Sequence, residues 1–249
     1  MKTGAYWQSL DTIANRAILT SEMDERGTNI LEAAIEAFIA SGEPVSSSRL
    51  YNEYDFGIRP AMIRLELEKL SDEGFLEQPH HSAGRVPTDR GYEFFAERIL
   101  EDEDGAKRAE RFAGFRSMLA RGALPDLAEE LAEELGLLSV ATAPSRRSLY
   151  KEGLDGLVEQ MDGLASDDLK SIVRDFVEID ERLARIAKTL ERSEATPAVF
   201  VGRKSPITKS ETLSVVMGRY EADGGPILLF AIGPKRMDYR KAVRMFKNL

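Results

Sequence analysis

The chain has no cysteine among its 249 residues. That absence removes disulfides, thiolate-ligated zinc, iron–sulfur clusters and cysteine nucleophiles, and it fits a reducing compartment. Histidine is scarce: His80 and His81 stand side by side in QPHHSAGRVPTDRGY and nowhere else. Neighbouring side chains of an extended segment point to opposite faces, so this pair makes a poor ligand set, and neither a metal nor a cofactor is expected. Long apolar runs are missing. The longest, ILLFAIG from Ile227, is far too short to span a membrane, and MKTGAYWQSLDTIANRAIL lacks the apolar core of a signal peptide. A cytoplasmic protein is expected. Neither G-x-S-x-G, H-E-x-x-H nor the phosphate-binding G-x-x-x-x-G-K-S/T occurs, and the acidic residues mostly lie one helical turn from Lys or Arg, the pattern of a solvated face. The expectation is a protein that is not an enzyme. Positive charge is also not in excess, since 34 Lys and Arg meet 43 Asp and Glu for a net charge of −9. A polyanionic partner would therefore have to be met by a local face.

What is present has the length for two domains, with 43% hydrophobic and 31% charged residues, ordinary for a folded protein. Residues 1–22 read as an N-terminal extension. From Asp24, Ile30, Leu31, Ala34, Ile35, Phe38 and Ile39 form one helical stripe, with Asp24 able to cap its start and Gly42 and Pro44 to stop it. Ser46 or Ser47 can cap a second, short helix carrying Leu50 and Tyr54. DFGIRP then turns the chain, and Pro60 suits the first turn of a third helix with Ile63, Leu67 and Leu70 inward and Gly74 at its end. Phe75–Gln78 and Arg85–Val86 read as two short strands, and Thr88 or Asp89 opens another helix. Three helices, a hairpin and a helix make a winged helix-turn-helix over residues 23–100.

From the acidic break EDEDG onward, residues 101–249 read as a second domain. Residues 106–120 and 126–135 read as helices, LLSVAT as a strand and APSRRSLYKEG as a loop. In the segment from Ser166, Leu169, Ile172, Phe176, Ile179, Leu183, Ile186 and Leu190 are spaced 3-4-3-4-3-4. This heptad seam fits a two-chain dimerisation helix and, equally, a long helix packed on its own domain. AVFVG, LSVVMGRYE and ILLFAIG are strands, the last two joined by ADGGP, and a helix from about Asp238 closes the chain. Its basic residues Lys235, Arg236, Arg240, Lys241, Arg244 and Lys247 read as a solvated face more readily than as a nucleic-acid contact.

In a winged helix-turn-helix the N-terminal end of the third helix enters the major groove and the wing lies on the neighbouring backbone. Arg59 and Arg64 are long donors on the outward face of that helix, and Ala61 and Met62 suit contact with base methyls. In the wing, Gly84 permits a turn at the tip and Arg85 stands beside it, within reach of a phosphate or a narrow minor groove. Ser47, Ser82 and Thr88 are candidate hydroxyl donors to phosphates. Residues 44–92 contain six Arg and Lys against eight Asp and Glu, so one copy should bind weakly and two copies would help.

The stretches GEPVSSSRL, PAMIRLELEKL, GFLEQPHHSAGRVPTDRGYEFF and, far downstream, AIGPKRMDYRKAV resemble the heat-inducible transcription repressors of bacteria, the HrcA type. The resemblance implies an α+β protein: an N-terminal winged helix-turn-helix followed by a reduced GAF-like α/β domain with a helical dimerisation region. It implies a homodimer that binds double-stranded DNA at an inverted-repeat operator (the CIRCE element) and represses chaperone operons, with the chaperonin GroEL promoting the DNA-binding form. Two departures stand out. Members of that family are longer, and what is missing falls near Ser148–Tyr150, which makes the seam from Leu169 to Leu190 the candidate dimer interface. The family's recognition helix reads Ala-Thr-Ile-Arg-Asn-Asp where this chain has Ala61, Met62, Ile63, Arg64, Leu65 and Glu66; Leu65 loses a base-reading amide. Two readings of other classes stand beside this one: a winged-helix protein-interaction module, and a ligand-responsive regulator whose GAF-like part is the sensor.

Overall fold

The computed structural model describes residues 23–102, 111–161, 166–190 and 197–249. The expected N-terminal extension lies outside the described residues, as does most of the acidic break. The chain divides into two compact units that meet at Glu97–Arg98.

The first unit holds helices α1 (Glu25–Ser41), α2 (Ser47–Glu53) and α3 (Pro60–Asp72), strands β1 (Leu76–Glu77) and β2 (Val86–Pro87), and α4 (Asp89–Glu101), whose last turn crosses the division. Local chemistry sets these limits. Asp24 accepts from the Gly27 amide at 2.7 Å and so caps α1. Gly42 ends that helix at φ 70°, a conformation glycine adopts without a Cβ clash. Ser46, not Ser47, caps α2, accepting from the Arg49 amide at 3.2 Å. Pro60 opens α3, where its missing N–H costs nothing. Ile30, Leu31 and Ile35 of α1 meet Leu50, Ile63, Leu67 and Leu70 in a core closed by Phe75, Phe94 and Phe95, all buried. Each such side chain contributes about 1.5–3 kcal/mol through burial, which fixes α2 and α3 on α1 despite the shortness of α2.

The second unit holds α5 (Ala113–Arg121), α6 (Leu124–Leu135), β3 (Leu138–Ala143), β4 (Ser148–Glu152), α7 (Leu154–Glu159), α8 (Ser166–Leu190), β5 (Ala198–Val201), β6 (Leu213–Tyr220), β7 (Ile227–Pro234) and α9 (Tyr239–Asn248). Its five strands form one antiparallel sheet in the order β4-β3-β7-β6-β5. One expectation is corrected here. The stretch read as a loop, APSRRSLYKEG, contains β4. Arg147 turns the chain at φ 54°, and Ser148–Glu152 then pairs with Ala143–Ser139 as an edge strand. An edge strand needs only one apolar side, so its residues are too mixed to announce it.

Register assigns the sheet its faces. Val140, Phe230 and Met217 lie on one, Ala141, Leu229 and Gly218 on the other. Lys151, opposite Val140, donates to the Phe176 carbonyl at 3.0 Å and stands 4.5 Å from the Phe176 ring centroid, so α8 covers the first face. On the second face Tyr239 of α9 meets the Ser214 hydroxyl at 2.7 Å, and Tyr220 donates to the Phe246 carbonyl at 2.7 Å. The Tyr220 hydroxyl lies in the interior, and desolvation there holds the phenol far above its ordinary pKa, so it remains a donor.

Candidate nucleic-acid interface

Residues Tyr54–Arg59 connect α2 to α3, with Asp55 accepting from the Gly57 amide at 3.0 Å. Because Ile63, Leu67 and Leu70 hold α3 on the core, its other side is turned out. Arg59, Ala61, Met62, Arg64 and Leu65 are all exposed, Leu65 by 55%. All three exposed large hydrophobic side chains of the first unit's described residues, Tyr51, Met62 and Leu65, belong to α2 and α3. Basic charge on this face is largely balanced one turn away. Arg64 meets Glu68 at 3.2 Å, Arg49 meets Glu53 at 2.8 Å and Lys69 meets Glu73 at 3.9 Å. Arg59, at the N-cap of α3, makes no ion pair among the described residues.

The hairpin is organised otherwise than its sequence suggested. Beyond the β1–β2 pairing, Val45 and Arg85 exchange both backbone hydrogen bonds at 2.8 Å, so the chain before α2 adds a third line to the ribbon. Gly84 serves this close approach and not a left-handed turn: a Cβ there would stand 2.5 Å from the carbonyl carbon and oxygen of Val45. Arg85 is half-buried, and its Nε donates to the Ser71 hydroxyl at 2.9 Å, tying the hairpin to the last turn of α3. The exposed tip is His80, His81 and Ser82, with Ser82 Oγ 3.3 Å from His80 Nδ1 and the Gln78 amide donating to the His81 and Ala83 carbonyls. Thr88 Oγ1 accepts from the Gly91 amide at 3.2 Å and lies 2.7 Å from the Gly74 carbonyl oxygen. It therefore caps α4 and bridges to the end of α3, while Ser47 is half-buried in the first turn of α2. Of the eight residues expected at DNA, Ala61, Met62 and Arg64 lie on the exposed side of α3, Arg59 is exposed at its N-cap and Ser82 stands on an exposed tip. Arg85 and Thr88 hold the hairpin in place.

Sequence reasoning missed Val45 and Ser71. Val45 leaves a trace in the apolar position of GEPVS; the contact of Ser71 with Arg85, fourteen residues on, leaves none.

The seven seam residues are divided by the fold. Ile172, Ile179, Leu183 and Leu190 are buried within the second unit, Phe176 and Ile186 half-buried, and Leu169 is 43% exposed. On the same inner face lie Asp175 and Arg182, both buried. Arg182 donates to Asp175, to Glu178 at 2.7 Å and to the Ile207 carbonyl at 2.9 Å. Asp175 also accepts from the Lys209 amide at 2.8 Å and the Ser210 amide at 2.8 Å. Among the described residues no group of three or more His, Asp or Glu could hold a metal, and no helix is long and apolar enough to cross a membrane.

Comparison with known proteins decides the family. The HrcA model, described as the HrcA protein C terminal domain, matches residues 105–243, more than half of the chain. The chain belongs to the HrcA family. A heat-inducible transcription repressor HrcA of Clostridium perfringens is 39% identical over 120 residues, 48% of this chain; the chain spans only 35% of that relative's length. The protein of the same name from Desulfitobacterium hafniense is 24% identical over 327 residues and covers 90% of this chain and 94% of its own. That of Mycobacterium leprae is 29% identical over 210 residues, 81% of this chain and 60% of its own. A crystal structure described as that of a hypothetical protein shares the fold, with a TM-score of 0.71 at 17% identity over 91% of this chain and 96% of the other.

Proposed function

We propose that this HrcA-family chain is a transcription repressor of heat-shock chaperone operons that acts in the cytoplasm as a homodimer on an inverted-repeat operator. On this reading the first unit is a winged helix-turn-helix. The N-terminal half of α3 enters the major groove through Arg59, Ala61, Met62 and Arg64, and Ser82 and Arg85 bring the wing to the phosphates. The second unit is a reduced GAF-like domain, and the chaperonin GroEL promotes the DNA-binding form. The observation that carries the reading is the outward face of α3. A helix fixed by its apolar side presents two arginines and two small or apolar side chains together, the chemistry that reads guanine edges and thymine methyls. The names of the relatives support the regulatory role. Internal ion pairs offset much of the local positive charge, so a single copy binds weakly and two half-sites supply the affinity.

Binding-site selection from random DNA with the purified protein tests this, and recovery of an inverted repeat is the expected result. The same ion pairs, together with exposed Tyr51, Met62 and Leu65, favour a second reading in which this face binds a protein partner. Failure to retain any DNA at low salt would favour that one.

A further inference from the structure

All five exposed large hydrophobic side chains of the second unit's described residues, Tyr150, Val158, Leu169, Val173 and Val177, fall in β4, α7 and α8. Val173 and Val177 are 48% and 67% exposed, on the side of α8 away from its buried row. They belong to a longer outer row: Ser166, Lys170, Val173, Val177, Asp180 and Ala184 recur at 4-3-4-3-4 spacing, and all six are exposed. This is the spacing of a two-helix seam, lying outside the one that the apolar residues alone suggest.

The row is self-complementary in one orientation. Its positions are symmetric about residue 175. A second α8 laid antiparallel, with the two-fold axis at that level, sets Val173 of one copy against Val177 of the other, twice. It also sets Lys170 of one copy against Asp180 of the other, twice, and Ser166 against Ala184. A parallel pairing would instead set Lys170 against Lys170 and Asp180 against Asp180, like charges that repel. Within one chain Lys170 meets Asp167 at 2.8 Å and Asp180 meets Lys151 at 2.6 Å. Both remain open to a partner, at 69% and 55% side-chain exposure.

We propose that the outer row of α8 is the surface through which a second copy of this chain docks, antiparallel, about a two-fold axis level with Asp175. The inference rests on the reading of the protein as a two-fold dimer and gives that dimer its interface. Its inner row, with Asp175 and Arg182, stays within each chain.

The test measures mass in solution by sedimentation on the full chain, without DNA, so its outcome is independent of operator binding. The wild type is expected at twice the 27.7 kDa of one chain. Val177→Glu is expected to run as a monomer with an unchanged circular dichroism spectrum, since the residue is exposed. Lys170→Asp and Asp180→Lys are each expected to weaken self-association at least tenfold. Mixed in equal amounts, these two variants should recover a dimer, because every opposed pair again carries opposite charges. A wild type that stays monomeric, a Val177→Glu protein that stays dimeric, or a mixture no tighter than its components overturns the proposal. Loss of operator binding by a protein that keeps its dimer would overturn the functional reading and leave this interface standing.

Discussion

Gly84 lies so close to Val45 that a Cβ on it would stand 2.5 Å from both the carbonyl carbon and oxygen of that residue. The clash is with backbone that is itself held by two hydrogen bonds to Arg85, so no flexible side chain can yield. Gly84→Ala should therefore destabilise the first unit by about 1–3 kcal/mol, the usual cost of overpacking. Chemical denaturation followed by circular dichroism will show it as a lowered midpoint. An unchanged midpoint would mean that the Val45–Arg85 bridge is dispensable.

The Asp175–Arg182 pair makes a prediction for the second unit. Removing Arg182 leaves Asp175 buried with no counter-ion, and removing Asp175 leaves Arg182 with Glu178 alone and the Lys209 and Ser210 amides unsatisfied. Asp175→Leu and Arg182→Met should each cost about 3–5 kcal/mol. The double variant Asp175→Leu with Arg182→Met removes both charges and should lose much less than the sum, with the amides of the 205–210 loop accounting for what remains. Equilibrium unfolding of the three proteins measures the coupling; additive losses would show that the two groups act separately.

Thr88 offers a smaller effect. Its hydroxyl caps α4 and reaches the Gly74 carbonyl, so Thr88→Ala should cost about 0.5–2 kcal/mol. Thr88→Ser keeps the oxygen and should recover most of it. Hydrogen exchange at the first amides of α4 reports the loss directly, and exchange as slow as in the wild type would contradict the cap.

These residues also mark how far the sequence carries. The cap at Asp24, a serine cap at Ser46 or Ser47, the stop at Gly42 and the start at Pro60 were legible because each acts on amides or dihedrals within a few residues. So was the outward face of α3, since a 3.6-residue period fixes which side chains share a side. Strand β4 was not legible: its register is set by β3 and the turn at Arg147. The seam on α8 was legible only in part, for a related reason. Apolar spacing alone counts Leu169, which is exposed, and passes over Asp175 and Arg182, which are buried because amides and a carbonyl of the 207–210 loop satisfy them. Charged residues on an inner face can be recognised only when their partners are known.

The two arginines proposed to meet DNA should fail in different ways. Arg64 has a 75% exposed side chain on the outward face of α3, paired among the described residues with Glu68 one turn on. Arg64→Ala should lose about 1–3 kcal/mol against its preferred base and bind variant operators with less discrimination. Arg85 is fixed at both ends, by Val45 through its backbone and by Ser71 through Nε. Its replacement by Ala should weaken all sequences alike and lower the slope of log affinity against log salt by about one. Ser71→Ala separates charge from placement. It keeps the guanidinium but frees it from α3, so the salt slope should hold while affinity falls less than in Arg85→Ala. Titrations of operator and random duplexes at several salt concentrations distinguish the three. If Arg85→Ala leaves the salt slope unchanged, the wing arginine holds the hairpin together and touches no phosphate.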